Sequence, residues 1–113
     1  MSEVSLTPAA GITTTTNGTY AALQPIGATQ PVPVEIFGKG FGTSGAFSIT
    51  YVIESGLDGS TFGTTNATIT IAGTAESKPI SLVAVVSLPF VRARVTAISG
   101  TGAALVLGLR TAC

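Results

Sequence analysis

Histidine and tryptophan are absent from this 113-residue chain, cysteine occurs once, and charged residues make up only 9%. Without histidine, the usual base that activates a serine or cysteine nucleophile is missing. The single cysteine, Cys113, stands last. It has no partner for an intrachain disulfide or a cysteine metal site, which leaves only an intermolecular bridge. Charge is scarce in both signs. Five Lys/Arg balance five Asp/Glu, so neither net charge nor a basic run points to nucleic acid or a membrane surface as partner. Globular domains usually carry about 25% charged residues. A surface this short of charge reads as one covered by a partner or by copies of itself; the plainer reading is a Thr/Gly/Ala-rich β-protein solvated through hydroxyls and exposed backbone.

Long apolar runs are also missing. The opening MSEVSLTPAAG has neither the basic nor the apolar region of a secretory signal. The most apolar span, between Arg94 and Arg110, would reach only about 22 Å as a helix, short of a ~30 Å hydrocarbon core. Ser99, Gly100 and Gly102 break it into two strands and a turn.

What is present is alternation with a period of two. In Ala46–Phe62, the residues Phe47, Ile49, Tyr51 and Ile53 face one way, and Ser48, Thr50, Val52 and Glu54 the other. Ser55–Ser60 then turns the chain, with Gly56, Asp58 and Gly59 as its structural residues and positive φ expected at Gly59 and Gly56. Val91, Ala93, Val95 and Ala97 alternate with Phe90, Arg92, Arg94 and Thr96 in the same way. Shorter strands are expected at 19–23, 32–37, 67–71, 79–87 and 103–110, with Gly38–Gly45 and Gly73–Lys78 as loops. Pro33 places its strand at a sheet edge or puts itself among the first residues. Seven or eight short strands between turn signals, with no sustained helical period, predict one all-β domain: a single antiparallel β-sandwich, jelly-roll-like, over 17–113. Residues 1–16, rich in Ser, Thr, Pro and Ala, read as an extended N-terminal arm that orders against a neighbour. The predicted core is Ile49, Tyr51, Ile53, Leu82, Ala84, Val91, Ala93, Val95, Leu105 and Leu107.

Candidate chemistry is sparse, and no catalytic, cofactor or metal residues are assigned. Glu54 and Asp58 flank a turn as a carboxylate pair in a glycosidase would, but one lies on a polar strand face and the other is the ordinary residue before a turn glycine. One carboxylate does not make a calcium loop. Arg92 and Arg94 project from one face and suit either a bidentate anion or ion pairs with Glu35, Glu54 or a neighbouring subunit.

The segments SLTPAAGITTTTNGTYAAL, YVIESGLDGSTF and PFVRARVTAISGTGAALVLGL together resemble small virion proteins of tailed bacteriophages, which carry a Ser-Leu-Asp-Gly-like turn after a central strand and a closing Arg-bearing strand pair. Here the turn stands as Ser55-Gly56-Leu57-Asp58-Gly59, with Gly56 inserted. The resemblance implies a β-sandwich without enzymatic activity or cofactor: a capsid decoration (cement) protein bridging major capsid subunits, or a head–tail or tail component. It also implies synthesis in the host bacterial cytoplasm and a place on the capsid surface of the virion. The scarcity of charge predicts a homo-oligomer, expected as a trimer because capsid lattices accept decorating proteins at three-fold axes. Candidate partner contacts are Thr13, Thr14, Thr15, Thr16, Arg92 and Arg94. The same turn and Arg strand are similar to discoidin-type carbohydrate-binding sandwiches, which carry tryptophan near the position of Phe62.

Overall fold

Backbone donors and acceptors left over by one strand have to be met by another, and here eight strands meet them in pairs. The computed structural model describes residues 3–8, 10–27 and 29–111. Its regular elements are β1 (Glu3–Ser5), β2 (Ala21–Ala22), β3 (Val32–Phe41), β4 (Ser44–Gly56), β5 (Thr64–Thr74), β6 (Ser77–Val86), β7 (Phe90–Thr101) and β8 (Ala104–Thr111). Two four-stranded antiparallel sheets result, ordered β1-β8-β3-β6 and β2-β7-β4-β5. The pairing is nested: first strand with last, second with seventh, third with sixth, fourth with fifth. The chain is thus one long hairpin folded across itself into a β-sandwich. No described helix is long and apolar enough to cross a membrane.

The core forms where the apolar faces of the two sheets meet. Ile49, Tyr51 and Ile53 of β4 and Val91, Ala93 and Val95 of β7 face Val34 and Ile36 of β3 and Leu105, Leu107 and Leu109 of β8. Each large aliphatic side chain buried there contributes about 1.5–3 kcal/mol. Two of the expected core residues, Leu82 and Ala84, are only half-buried, because β6 is an edge strand. Tyr51 points inward as expected, but its hydroxyl finds no hydrogen-bond partner among the described residues.

Four local expectations change. The alternation of β7 inverts after Val95: the register to β4 passes from Tyr51↔Val95 to Thr50↔Ala97, so Thr96 is bulged out. Ala97 is therefore exposed, and Ile98 packs on the core instead. The glycines from Gly38 to Gly45 are not a loose loop. Gly38 and Gly40 lie within β3, which is paired on both sides, and a side chain at Gly40 would press on Ile49 and Ile71 at 3.2–3.3 Å. Gly73–Lys78 is likewise a tight corner between β5 and β6 centred on Ala75 and Glu76, with Ala75 at φ 46°. Pro33, the second residue of β3, precedes the pairing with β8, which starts at Val34.

The fourth change concerns the N-terminal stretch. Among its described residues, Glu3–Ser5 pair with β8, Leu6 and Ile12 are buried in the core, and Ile12 exchanges backbone hydrogen bonds with Leu105 at 2.8 and 3.0 Å. The chain then crosses to the other sheet, where Thr16 and Gly18 bond to Val95 and Ala93 of β7. Apolar side chains spaced irregularly among Pro and Thr give no periodic signal, yet Leu6 and Ile12 fill the core beside β8, on the flank of the short edge strands.

The two flanks of the sandwich differ. On one, the edge strands β1 and β2 are three and two residues long. On the other, β5 and β6 run for eleven and ten residues with no further strand beyond them.

Candidate functional site

The Asp58 turn and the Arg face of β7 converge at one end of the sheet that contains β4. Glu54 lies directly across from Arg92 in the β4–β7 register, and Arg94 is two residues further along the same face. One carboxylate oxygen of Glu54 accepts from Arg92 Nε at 2.7 Å and from Arg94 Nε at 3.2 Å. Glu54 is thereby 5% exposed and Arg94 41%. One carboxylate between two guanidiniums leaves a local charge of +1. That excess resides on Arg94, which has the longer bond and the greater access to solvent.

The Arg92 guanidinium carbon lies over the Phe62 ring, 4.2 Å from its centroid, and the Tyr20 ring centre is 6.2 Å from that of Phe62 and 5.5 Å from that of Phe90, the latter edge-on. The guanidinium therefore covers one face of the Phe62 ring. On the opposite sheet a matching arrangement holds Glu35 to Arg110 at 3.0 Å with Arg110 over Phe37 at 4.2 Å.

Asp58 works on its own turn. Its Oδ1 accepts from the Ser60 and Thr61 amides at 2.9 and 2.8 Å and from the Ser60 hydroxyl at 2.9 Å. These donors, the Ser60 amide first, hold its carboxyl below the usual range. Neither Gly56 nor Gly59 adopts the positive φ expected from the sequence. The turn is closed by the aspartate side chain, and the glycines are needed for space. A Cβ on Gly56 would collide with the Thr61 carbonyl oxygen, and one on Gly59 would meet the Tyr20 ring at 3.0 Å.

The other sequence candidates are brought together in part. Because the chain from Thr16 to Ala22 runs along the free side of β7, Thr15, Thr16 and Asn17 line a shallow cleft with Arg94, Val95 and Thr96, about 380 Å³ in volume. Thr13 and Thr14 are exposed on the approach to it, and Arg92 lies outside it, folded onto Phe62. No sequence signal joined the Thr run to Arg94, since the meeting depends on the long-range pairing of the second and seventh strands.

Glu54 and Asp58, the one carboxylate pair with the spacing for catalysis, are each committed to structural donors. No three His, Cys, Asp or Glu side chains cluster among the described residues. Cys113 lies outside the described residues. Comparison with protein-family models, with curated proteins and with solved structures finds no match to this chain.

Proposed function

We propose that this chain is a non-enzymatic structural protein of a tailed-phage virion, a decoration protein that cements major capsid subunits from the capsid surface. Three features support this reading: the resemblance of its turn and Arg-strand segments to such proteins, the nested strand order of a jelly roll, which recurs in viral coat and lectin domains, and the state of its charges. The last carries the most weight. All five cations are engaged within the chain: Arg92 and Arg94 with Glu54, Arg110 with Glu35, Lys78 with Glu76 at 3.6 Å, and Lys39 over Phe41 at 5.3 Å. A surface with so few charges, most of its cations paired within the chain and the rest of it clothed in threonine, serine and apolar groups, suits burial against protein better than binding to polyanions.

The mechanism is mechanical. A copy seated across two capsid subunits opposes their separation through the apolar area it buries, at about 25 cal/mol per Å². Many modest contacts on a lattice add up. The cleft beside Arg94 takes an extended acidic or polar segment of the capsid protein, with Thr15 and Thr16 along one wall, Thr13 and Thr14 on the approach, and the Arg94 guanidinium for a carboxylate. A head–tail or tail position uses the same surfaces.

The test is co-sedimentation with undecorated capsids of the phage that encodes the protein. Wild type should pellet with them, and Arg94→Gln and Thr15→Lys should each weaken binding about tenfold at unchanged circular dichroism. Deleting residues 1–16 is the wrong probe, because it removes Leu6 and Ile12 from the core. Wild type left in the supernatant at every stage of capsid expansion refutes the reading; binding to a glycan array instead would move the protein to the carbohydrate-binding class.

A further inference from the structure

Free strand edges in β-proteins are normally blunted by short strands, charges, proline or bulges, because an open edge pairs with whatever edge it meets. The β1/β2 flank follows this rule through the shortness of its strands. The β5/β6 flank follows it only near the strand starts: Pro79 stands third in β6, after a Lys78 already tied to Glu76, and the register to β4 skips Asn66 near the start of β5. From Ala67 to Thr74 of β5 and from Ile80 to Val86 of β6 there is no charge, proline or register shift. On the inner side of these strands Ile69, Ile71, Ile80 and Leu82 are packed on the core yet only half-buried. On the outer side Val83 and Val85 are 74% and 59% exposed. β6 thus shows solvent apolar side chains on both faces and an unpaired backbone between them.

We infer that the β5/β6 flank is a self-association surface, and that its occupant is the same flank of a second copy of this chain. Two properties select that occupant. An uncharged, apolar edge pairs with one of like character, and among the described strands only this flank offers it; β1 and β2 are too short to match a ten-residue strand. The pairing is also geometrically closed. A two-fold axis normal to the sheets sets β6 antiparallel to its own copy and brings the two β5 strands together in the other layer. With Leu82 on the axis, Ile80 faces Ala84 of the second copy inside and Ser81 faces its Val83 outside. Ten residues at ~3.4 Å, across two layers ~10 Å apart with their side chains, make a flank of about 600–700 Å² per copy. A standard stable interface buries about 800 Å² per partner, so the flank is close to sufficient. The pairing rests on strand geometry alone and stands or falls separately from the virion reading.

The experiment is sedimentation equilibrium of the full chain from 1 to 100 µM, joined to amide hydrogen exchange. A two-copy mass is expected at tens of micromolar, with the amides of β6 protected along the whole strand. Val83→Lys/Val85→Lys places charge on an exposed edge without entering the core. It should weaken association at least 100-fold while leaving the circular dichroism spectrum unchanged, and alternate β6 amides should lose protection. A one-copy mass for wild type at 100 µM overturns the inference, as does a three-copy mass, or a two-copy particle that the double substitution leaves intact. Protection of β6 that appears only when capsids are added would assign the flank to the capsid protein and overturn it too.

Discussion

Replacing Tyr51 by phenylalanine should make this protein more stable. The side chain is 0% exposed in the centre of β4, flanked by Ile49 and Ile53, and its hydroxyl has no hydrogen-bond partner among the described residues. Burying such a group unpaired costs about 1–3 kcal/mol. Deleting it leaves a void of roughly 15 Å³, which at about 24 cal/mol per Å³ returns only ~0.4 kcal/mol. Tyr51→Phe should therefore gain about 1 kcal/mol or more near neutral pH. Alkali enlarges the difference. Burial pushes the phenol from its ordinary 10 up to about 12, so the unfolded chain releases this proton first. The folded-state contribution is complete below pH 10 and is lost as pH rises from 10 to 12. At pH 11 the variant should lead by about 1.4 kcal/mol more than it does at pH 8. Urea unfolding followed by far-ultraviolet circular dichroism at the two pH values measures both quantities. A variant less stable than wild type at pH 8, with the same margin at pH 11, would show that the hydroxyl is paired in solution and refute the reasoning.

Three further substitutions separate the roles of the turn and the Arg cluster. Gly56→Ala drives a Cβ into the Thr61 carbonyl, a backbone atom that cannot step aside. It should cost about 2–4 kcal/mol in urea unfolding, whereas Gly59→Ala, meeting only the half-exposed Tyr20 ring, should cost under about 1 kcal/mol; equal losses would return the turn to a φ-controlled one. Glu54→Gln leaves two guanidiniums without their carboxylate. Breaking a fully buried pair costs about 3–5 kcal/mol, but Arg94 is too exposed to count in full, so a loss of roughly 2 kcal/mol is expected, and a loss below about 0.5 kcal/mol would show the cluster to be ornamental to stability.

The parts of the fold legible in the sequence are those governed by local alternation. β4 is readable because Phe47, Ile49, Tyr51 and Ile53 keep one face through to the Asp58 turn. β7 is readable only as far as Val95, since a bulge has no distinct residue signature and Thr96 looks like any polar position. The glycines of β3 read as a loop because their propensity disfavours strands; pairing on both sides overrides that preference. Leu6 and Ile12 were illegible for a different reason. Their burial comes from chain crossing between sheets, and no periodicity records it. The Arg cluster was half legible: alternation put Arg92 and Arg94 on one face and offered both Glu35 and Glu54 as partners. Strand register then gave Glu54 to both of them and Glu35 to Arg110.

That register shows where this chain spends its few charges. Glu54 stands opposite Arg92, and Glu35 opposite Arg110, as direct cross-strand neighbours on the outer faces of the two sheets. Cross-strand ion pairs contribute about 0.2–1 kcal/mol each relative to Ala–Ala, but a slip of one residue would turn each charge into the core, so their larger effect is on register. In both pairs the arginine also closes over a phenylalanine at 4.2 Å, which hides an aromatic ring that a β-face would otherwise expose. All four of these strands, β3, β4, β7 and β8, are interior to their sheets. A sandwich built to remain alone would move such charges outward, onto the long edges where they repel a second edge. Here the interior strands carry the charge and the edges β5 and β6 carry almost none. The distribution that secures the register of each sheet is thus the same one that leaves the β5/β6 flank open to be covered.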